Sequence, residues 1–117
     1  MDTFTESITV ELAHDGFVAV AVDRKYDDGV GYQSTLFFQP GDVRAIADAL
    51  ERFGQGRLDQ AITLADGTLR IFDMPPSPMV NIELDRRADL AHGGYDTLDL
   101  GAESVAGVVA SLRALSV

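Results

Sequence analysis

The chain has 117 residues, enough for one domain with a substantial core but not for two independent ones. With 46% hydrophobic and 24% charged residues, its composition is that of a globular protein and argues against wholesale disorder. There is no cysteine, which excludes disulfides, thiol nucleophiles and thiolate metal sites.

The net charge of −10 is the extreme value of the composition. A strongly acidic surface repels nucleic-acid phosphates unless positive charge is concentrated on one face. The acidic side chains either keep a small protein soluble, or form a face that docks on a basic partner or mimics nucleic acid. No apolar run approaches the roughly 18 residues that cross a bilayer, and the N-terminus lacks the basic region of a secretory signal. We therefore expect a cytoplasmic protein without a membrane segment.

The first half of the chain predicts three strands and one helix. After a loose lead-in at residues 1–6, alternating apolar residues indicate a strand, and Asp15-Gly16 is typical of a two-residue type I′ hairpin turn. Both faces of the next strand begin apolar, which predicts a central position in the sheet. The predicted strands are Ile8–Ala13, Phe17–Lys25 and Tyr32–Phe38, with a further turn at Tyr26–Gly31.

The first predicted helix follows the third strand. Pro40 suits the first helical position, Asp42 complements the helix dipole in the first turn, and Gly54 is the expected stop. One apolar stripe is expected to face the sheet. It consists of Val43, Ile46, Ala47, Leu50 and Phe53.

The second half predicts four strands and a closing helix. A short polar connector, Gln55–Asp59, leads into a second Asp-Gly hairpin at Asp66-Gly67. Prolines make Met74–Pro78 a surface loop, and a longer loop is expected at Ala88–Gly94. The predicted elements are strands Ala61–Leu64, Thr68–Phe72, Met79–Arg87 and Tyr95–Leu100 and helix Ala102–Leu115.

The two halves are copies of one unit. Phe17–Phe53 aligns with Met79–Leu115 at a constant offset of 62 residues without a gap, and the apolar phase, strand-end charges and helix placement agree. We predict an α+β single domain built from repeats 7–54 and 57–115, in the order βββα–ββββα and related by a pseudo-twofold axis. Around the Asp66-Gly67 hairpin the correspondence slips by one residue, and the second copy has gained a strand. Because each half is too small alone, the halves should share one interior.

A charged cluster at equivalent strand ends is the main candidate site. Asp23-Arg24-Lys25 recurs as Asp85-Arg86-Arg87, and tyrosines that could stack on bases lie nearby. The functional interpretation is a matched pair of anion or partner contacts. The structural interpretation is that charges mark where strands leave the core, with Asp–Arg pairs holding the turn and tyrosines half-buried in packing. The candidate binding residues are Arg24, Lys25, Tyr26, Arg86, Arg87 and Tyr95.

Catalytic and metal motifs are not found in the sequence. His14 and His92 are the only histidines, and neither has a second ligand at metal spacing. No Gly-x-Ser-x-Gly occurs, and Gly29-Val-Gly31 lacks the third glycine of a dinucleotide loop. We therefore predict a non-enzymatic protein without a metal or cofactor.

The duplicated unit of antiparallel strands followed by a helix resembles the PC4/Whirly group of single-strand-binding and transcription-associated proteins. The resemblance covers nearly the whole chain as architecture, and it implies a fold rather than particular site residues. Proteins with this layout also include protein adaptors, so the fold does not decide between functions.

Three functions follow as hypotheses. The first is a small acidic domain that acts through protein–protein contacts, as an adaptor, inhibitor or immunity-type protein, with a protein partner or a second copy; a homodimer is expected because exposed sheet edges invite pairing. The second is single-stranded nucleic-acid binding through the basic clusters and tyrosines, which the net charge disfavours. The third is a small-ligand binder with a pocket between the halves.

Overall fold

A computed structural model describes residues 3–13, 15–65, 67–73, 75, 77–86 and 95–115. The elements follow the predicted order βββα–ββββα, so the α+β class is confirmed. A short 3-10 turn precedes each helix, at Pro40–Asp42 and at Ala102–Ser104. The elements are β1 (Phe4–Leu12), β2 (Val18–Tyr26), β3 (Gly31–Phe38), α1 (Val43–Gly56), β4 (Gln60–Thr63), β5 (Gly67–Asp73), β6 (Met79–Arg86), β7 (Tyr95–Gly101) and α2 (Val105–Ala114).

The strands form two antiparallel sheets, β1-β2-β3 and β4-β5-β6-β7. Their registers repeat the offset read from the sequence. Val18 pairs with Phe38 between β2 and β3, and Val80 pairs with Leu100 between β6 and β7. Both residues of the second pair are therefore numbered 62 higher than those of the first. The duplication therefore holds residue by residue in the paired strands.

β5 is the counterpart of β1, with a slip of one residue. Ile8 pairs with Val22, and Leu69 pairs with Leu84, so the offset between β1 and β5 is 61 rather than 62. β4 pairs with the far side of β5 and has no counterpart in the first half. The predicted slip and the extra strand of the second copy are both confirmed.

Both halves contribute to one hydrophobic core. The predicted stripe of α1 is buried throughout, as are Val105, Val108, Val109 and Leu112 of α2. The helices run antiparallel, and a Cβ on Gly54 would lie 3.8 Å from Val105. α1 contacts β4 and β5 of the second half, while α2 contacts β1 of the first. Each half therefore completes the interior of the other.

The hairpin turn at Asp15-Gly16 differs from the predicted two-residue type. Asp66 of the other predicted Asp-Gly hairpin lies outside the described residues. At the first turn the Gly16 amide donates to the Ala13 carbonyl (3.0 Å), the Ala13 amide donates to the Phe17 carbonyl (2.7 Å), and Gly16 has a φ of 87°. Gly29 repeats this geometry with a φ of 90°. These are three-residue loops that end on a left-handed glycine, which is the other common hairpin solution.

Pro40 takes the first helical position, in the 3-10 turn that leads directly into α1. Two other boundaries differ from the prediction. Residues 1–6 are not all a lead-in, because β1 begins at Phe4. Gly54 does not end α1, which continues to Gly56 and ends at Arg57 in a left-handed conformation (φ 55°). The loop predicted at 88–94 and the two histidines lie outside the described residues. Neither described helix has the length and apolar character needed to cross a bilayer.

Matched core substitutions test whether the halves fold jointly. Leu36 and Leu98 are equivalent and fully buried, so Leu36→Ala and Leu98→Ala should each lower the free energy of unfolding by about 2–5 kcal/mol. Urea unfolding followed by circular dichroism should show a single transition for both variants. Gln33→Ala, on the exposed side of β3, is the control and should change stability by less than about 0.5 kcal/mol. Two separate transitions would contradict a shared interior.

Candidate functional site

The predicted basic cluster is split between two faces of β2. Side chains alternate along a strand, so Arg24 lies on the core face with Val20 and Val22, whereas Asp23 and Lys25 lie on the outer face and are exposed. The expected Asp–Arg pair within the cluster therefore does not form. Arg24 is instead enclosed in the protein, at 2% exposure.

The partner of Arg24 is Glu6, the residue opposite it on β1. The Arg24 Nε donates to Glu6 Oε2 at 2.8 Å, and the Nη2–Oε2 distance is 2.7 Å. The Glu6 side chain is 5% exposed. Three aromatic rings surround the guanidinium, with their centroids 4.7 to 6.0 Å from its carbon. They belong to Phe4, Tyr26 and Tyr32.

This ion pair also joins the two halves. Arg24 Nη2 donates to the Asp99 carbonyl (2.9 Å) on β7. The Glu6 carboxylate accepts from the Gly101 amide (3.1 Å) and from the Ser104 hydroxyl (2.6 Å), at the entry to α2. Because every charged atom has a protein partner, Arg24 is held as a structural contact between β1, β2 and β7.

The second copy has no carboxylate at the position equivalent to Glu6. Arg86, the counterpart of Arg24, ends β6 and pairs with Gly67 of β5, and Glu6 is the residue of β1 that corresponds to Gly67. Arg87 lies outside the described residues.

The two candidate tyrosines lie in unlike surroundings. Tyr26 packs against Phe4 with ring centroids 5.5 Å apart. Tyr95 lies on the outer face of the second sheet and is 58% exposed. The pKa of its phenol is raised, mainly by partial loss of hydration and to a smaller extent by a hydrogen bond to Glu83. A raised folded-state pKa contributes stability that is lost as the pH rises through it. Lys25, Tyr26 and Tyr95 thus form no common surface.

A groove of about 490 Å³ lies between α1 and α2. Two arginines at its rim already have carboxylate partners. Arg57 pairs with Asp73, and Arg113 lies 2.9 Å from Asp48 and 2.6 Å from Glu51, which raise the pKa of its guanidinium. Inside the core, between the halves, the void is only about 10 Å³, too small for a ligand. Among the described residues no three His, Asp or Glu side chains could share a metal ion.

β1 presents an open backbone edge. The Asp27 amide donates to Thr3 and the Ala13 amide to Phe17, so the odd-numbered residues of this register bond to the β2 side. Hydrogen-bonded pairs alternate along an antiparallel ladder. The N–H and C=O groups of the even-numbered residues therefore point away from β2, where the described residues include no strand. We call this backbone row, formed by Glu6, Ile8 and Val10, the β1 edge.

In the second half the equivalent row is covered. Gly67 accepts from the Leu64 amide (2.7 Å), and Leu69 and Ile71 pair with Ile62 and Gln60 of β4. The presence of β4 increases the burial of the apolar side chains of the strand that it pairs with. Leu69 and Ile71 are 0% exposed, whereas their counterparts Ile8 and Val10 are only half-buried.

The covering helix shows the same difference. Ala49 of α1 is 0% exposed, but Ser111, at the equivalent position of α2, is exposed. A groove of about 210 Å³ lies between β1 and α2 at this point. We call it the β1–α2 groove; its lining residues are Glu6, Ile8, Ser104, Gly107, Val108 and Ser111. A Cβ added to Gly107 would meet no atom within 4 Å, so this side of the helix is open.

The β1 edge has little of the usual protection against strand addition. Natural edges carry prolines, lysines, inward-pointing charges or bulges, or are very short. The inward-pointing charge of β1, Glu6, is already paired with Arg24. β1 has nine residues, FTESITVEL, without proline or lysine, and pairs with β2 without a bulge from Phe4 to Leu12. β4, which forms one edge of the other sheet, has four residues. The extra strand of the second copy was the signal in the sequence that could have identified this open edge.

No family model matches the chain, and no curated protein matches it.

Substitutions of the buried ion pair test its role. Arg24→Met leaves the Glu6 carboxylate buried without its cation and should cost about 3–5 kcal/mol of unfolding free energy. The double variant Arg24→Met/Glu6→Leu should cost less than Arg24→Met alone, because no charge remains buried. Urea unfolding measures both. Lys25→Met, one residue along on the exposed face, is the control. A loss below about 1 kcal/mol for Arg24→Met would show that the pair is not a major structural contact.

Proposed function

We propose that this chain is a small, acidic, non-enzymatic domain that acts through protein–protein contacts. Its contact surface is the β1 edge together with the β1–α2 groove. An extended protein segment binds there as an additional antiparallel strand, a mode in which backbone hydrogen bonds supply affinity and alternate side chains supply selectivity. Adaptor, inhibitor and immunity-type proteins act through contacts of this kind.

The observation that carries this proposal is the position of β4. The second copy of the repeat fills the place beside β5 with a strand of its own, and the first copy leaves the same place beside β1 open. The half-buried Ile8 and Val10 and the exposed Ser111 are the side chains that such a strand would cover. A strand added here would complete the first half in the way β4 completes the second.

β4 also indicates the chemistry of the bound segment. Gln60 and Ile62 are half-buried and Leu64 is buried on the core side, whereas Ala61 and Thr63 are exposed. A segment bound to β1 would likewise place apolar side chains at alternate positions over the groove. Positions opposite Ser7 and Thr9 on the outer face accept polar side chains, since both residues are exposed.

Contact with protein accounts for more of the geometry than contact with nucleic acid. Of the basic residues in the nucleic-acid hypothesis, Arg24 is buried, and its guanidinium binds Glu6 and the Asp99 carbonyl. Lys25 and Tyr95 lie on the outer faces of different sheets, and the net charge of −10 opposes a phosphate backbone.

A peptide that copies residues 58–65 (LDQAITLA) tests the proposed surface. Added to the protein, it should shift the amide resonances of the β1 edge and of Gly107 and Ser111 in a nuclear magnetic resonance titration. A matched peptide with serine in place of Ile62 and Leu64 should bind at least roughly tenfold more weakly, a loss of about 1.4 kcal/mol.

Gly107→Arg is the matching change in the protein. The arginine side chain fills the open side of the groove, so peptide binding should be lost. Because it also replaces a helical glycine, the free energy of unfolding should rise by about 0.5–1 kcal/mol. Ala106→Arg lies one position along, on the side of α2 that faces α1, and should bind the peptide normally. Equal binding by both variants, or shifts confined to other surfaces, would refute the proposed surface.

A further inference from the structure

We propose that the segment bound at the β1 edge is β1 of a second copy of this chain. The result is a twofold dimer in which the β1-β2-β3 sheets of the two copies join into one continuous sheet. This inference rests on the proposed function, because it uses the same edge and groove. It names the occupant from the self-complementarity of β1 in backbone, side chain and charge.

The backbone fixes the possible registers. Only even-numbered residues of β1 present hydrogen-bonding groups at the edge, so even residues of one copy must pair with even residues of the other. Among these registers, one aligns all nine residues of both strands. It places Ile8 opposite Ile8 of the second copy on the twofold axis, and Phe4 opposite Leu12.

The side chains agree with this register. On the outer face, Glu11 lies opposite Thr5 and Ser7 opposite Thr9, so no two carboxylates meet. On the core face, Glu6 lies opposite Val10, and Arg24 already neutralises its charge. Glu6 and Glu11 are the only charged residues of β1. In a chain of net charge −10, this strand therefore offers little electrostatic resistance to a second copy.

Exposed apolar groups would be covered in the dimer. Leu12 is 55% exposed in the single chain, and the aligned register brings it to Phe4 of the other copy. Ile8 and Val10 would gain a strand neighbour, as Leu69 and Ile71 have in β4. Each conversion of a half-exposed aliphatic side chain to a buried one favours association.

α2 permits the approach of the second copy. It contacts β1, so pairing of the two edges brings the two α2 helices side by side on the same face of the sheet. The residues on the open side are Ser104, Gly107 and Ser111. Small side chains allow two helices to approach at the short end of the usual interaxial distance. α1 could not do this, because its equivalent side lies against β4.

Disulfide trapping tests the register of the two β1 strands. Because the chain has no cysteine of its own, only the introduced cysteines can cross-link. Ser7→Cys and Thr9→Cys are single variants on the exposed outer face. A mixture of the two should form a cross-linked dimer under mild oxidation, because residues 7 and 9 face each other at a non-hydrogen-bonded pair, where Cα atoms approach most closely. Neither variant alone should cross-link to a comparable extent. Efficient cross-linking of either variant with itself would overturn the proposed register.

Sedimentation equilibrium tests the dimer without cysteines. The unmodified chain and Ala106→Arg should reach twice the 12.6 kDa mass, whereas Gly107→Arg should remain monomeric at concentrations at least tenfold higher. A monomeric native chain that still binds the 58–65 peptide at the β1 edge would refute the dimer and support the proposed function. A monomeric chain that binds no peptide would refute both.

Discussion

The structure depends on the helix of each half covering strands of the other half. α1 lies against β4 and β5, α2 lies against β1, and the helices meet antiparallel over one core. Residues of both halves line this core, and the paired strands of the two units occupy equivalent positions in it. In such an arrangement, any strand that only one half possesses marks an unfilled position in the other. β4 is that strand.

The duplication acts as an internal comparison between equivalent positions. Where the copies agree, as at Leu36 and Leu98, the residues fill the shared core. Where they differ, the local chemistry differs too. Glu6 stands where the second copy has Gly67, and it binds Arg24 within the first half and Gly101 and Ser104 of the second half. Ser111 is exposed, whereas Ala49 at the equivalent position is covered. These differences lie around β1, which is why the proposed contact surface is placed there.

Local patterns predicted most of the fold, because period-two and period-3.6 spacing of apolar residues determines strands and helices directly. The inward position of Arg24 was also readable, since it shares the face of Val20 and Val22. Its partner was not, because Glu6 lies in a segment expected to be loose and meets Arg24 only through strand pairing. The end of α1 at Arg57 rather than Gly54 depends in the same way on a tertiary contact, the hydrogen bond of Arg57 to Asp73. The resemblance to the PC4/Whirly group remains a prediction.

Amide hydrogen exchange measures the openness of the β1 edge most directly. In the Gly107→Arg variant, the amides of Ile8 and Val10 should exchange at least roughly tenfold faster than those of Leu69 and Ile71, because only the second pair is bonded to a further strand. In the unmodified chain at high concentration, all four amides should be comparably protected. Equal protection of the four amides in the Gly107→Arg variant would contradict the account, since the edge would then be closed within a single chain.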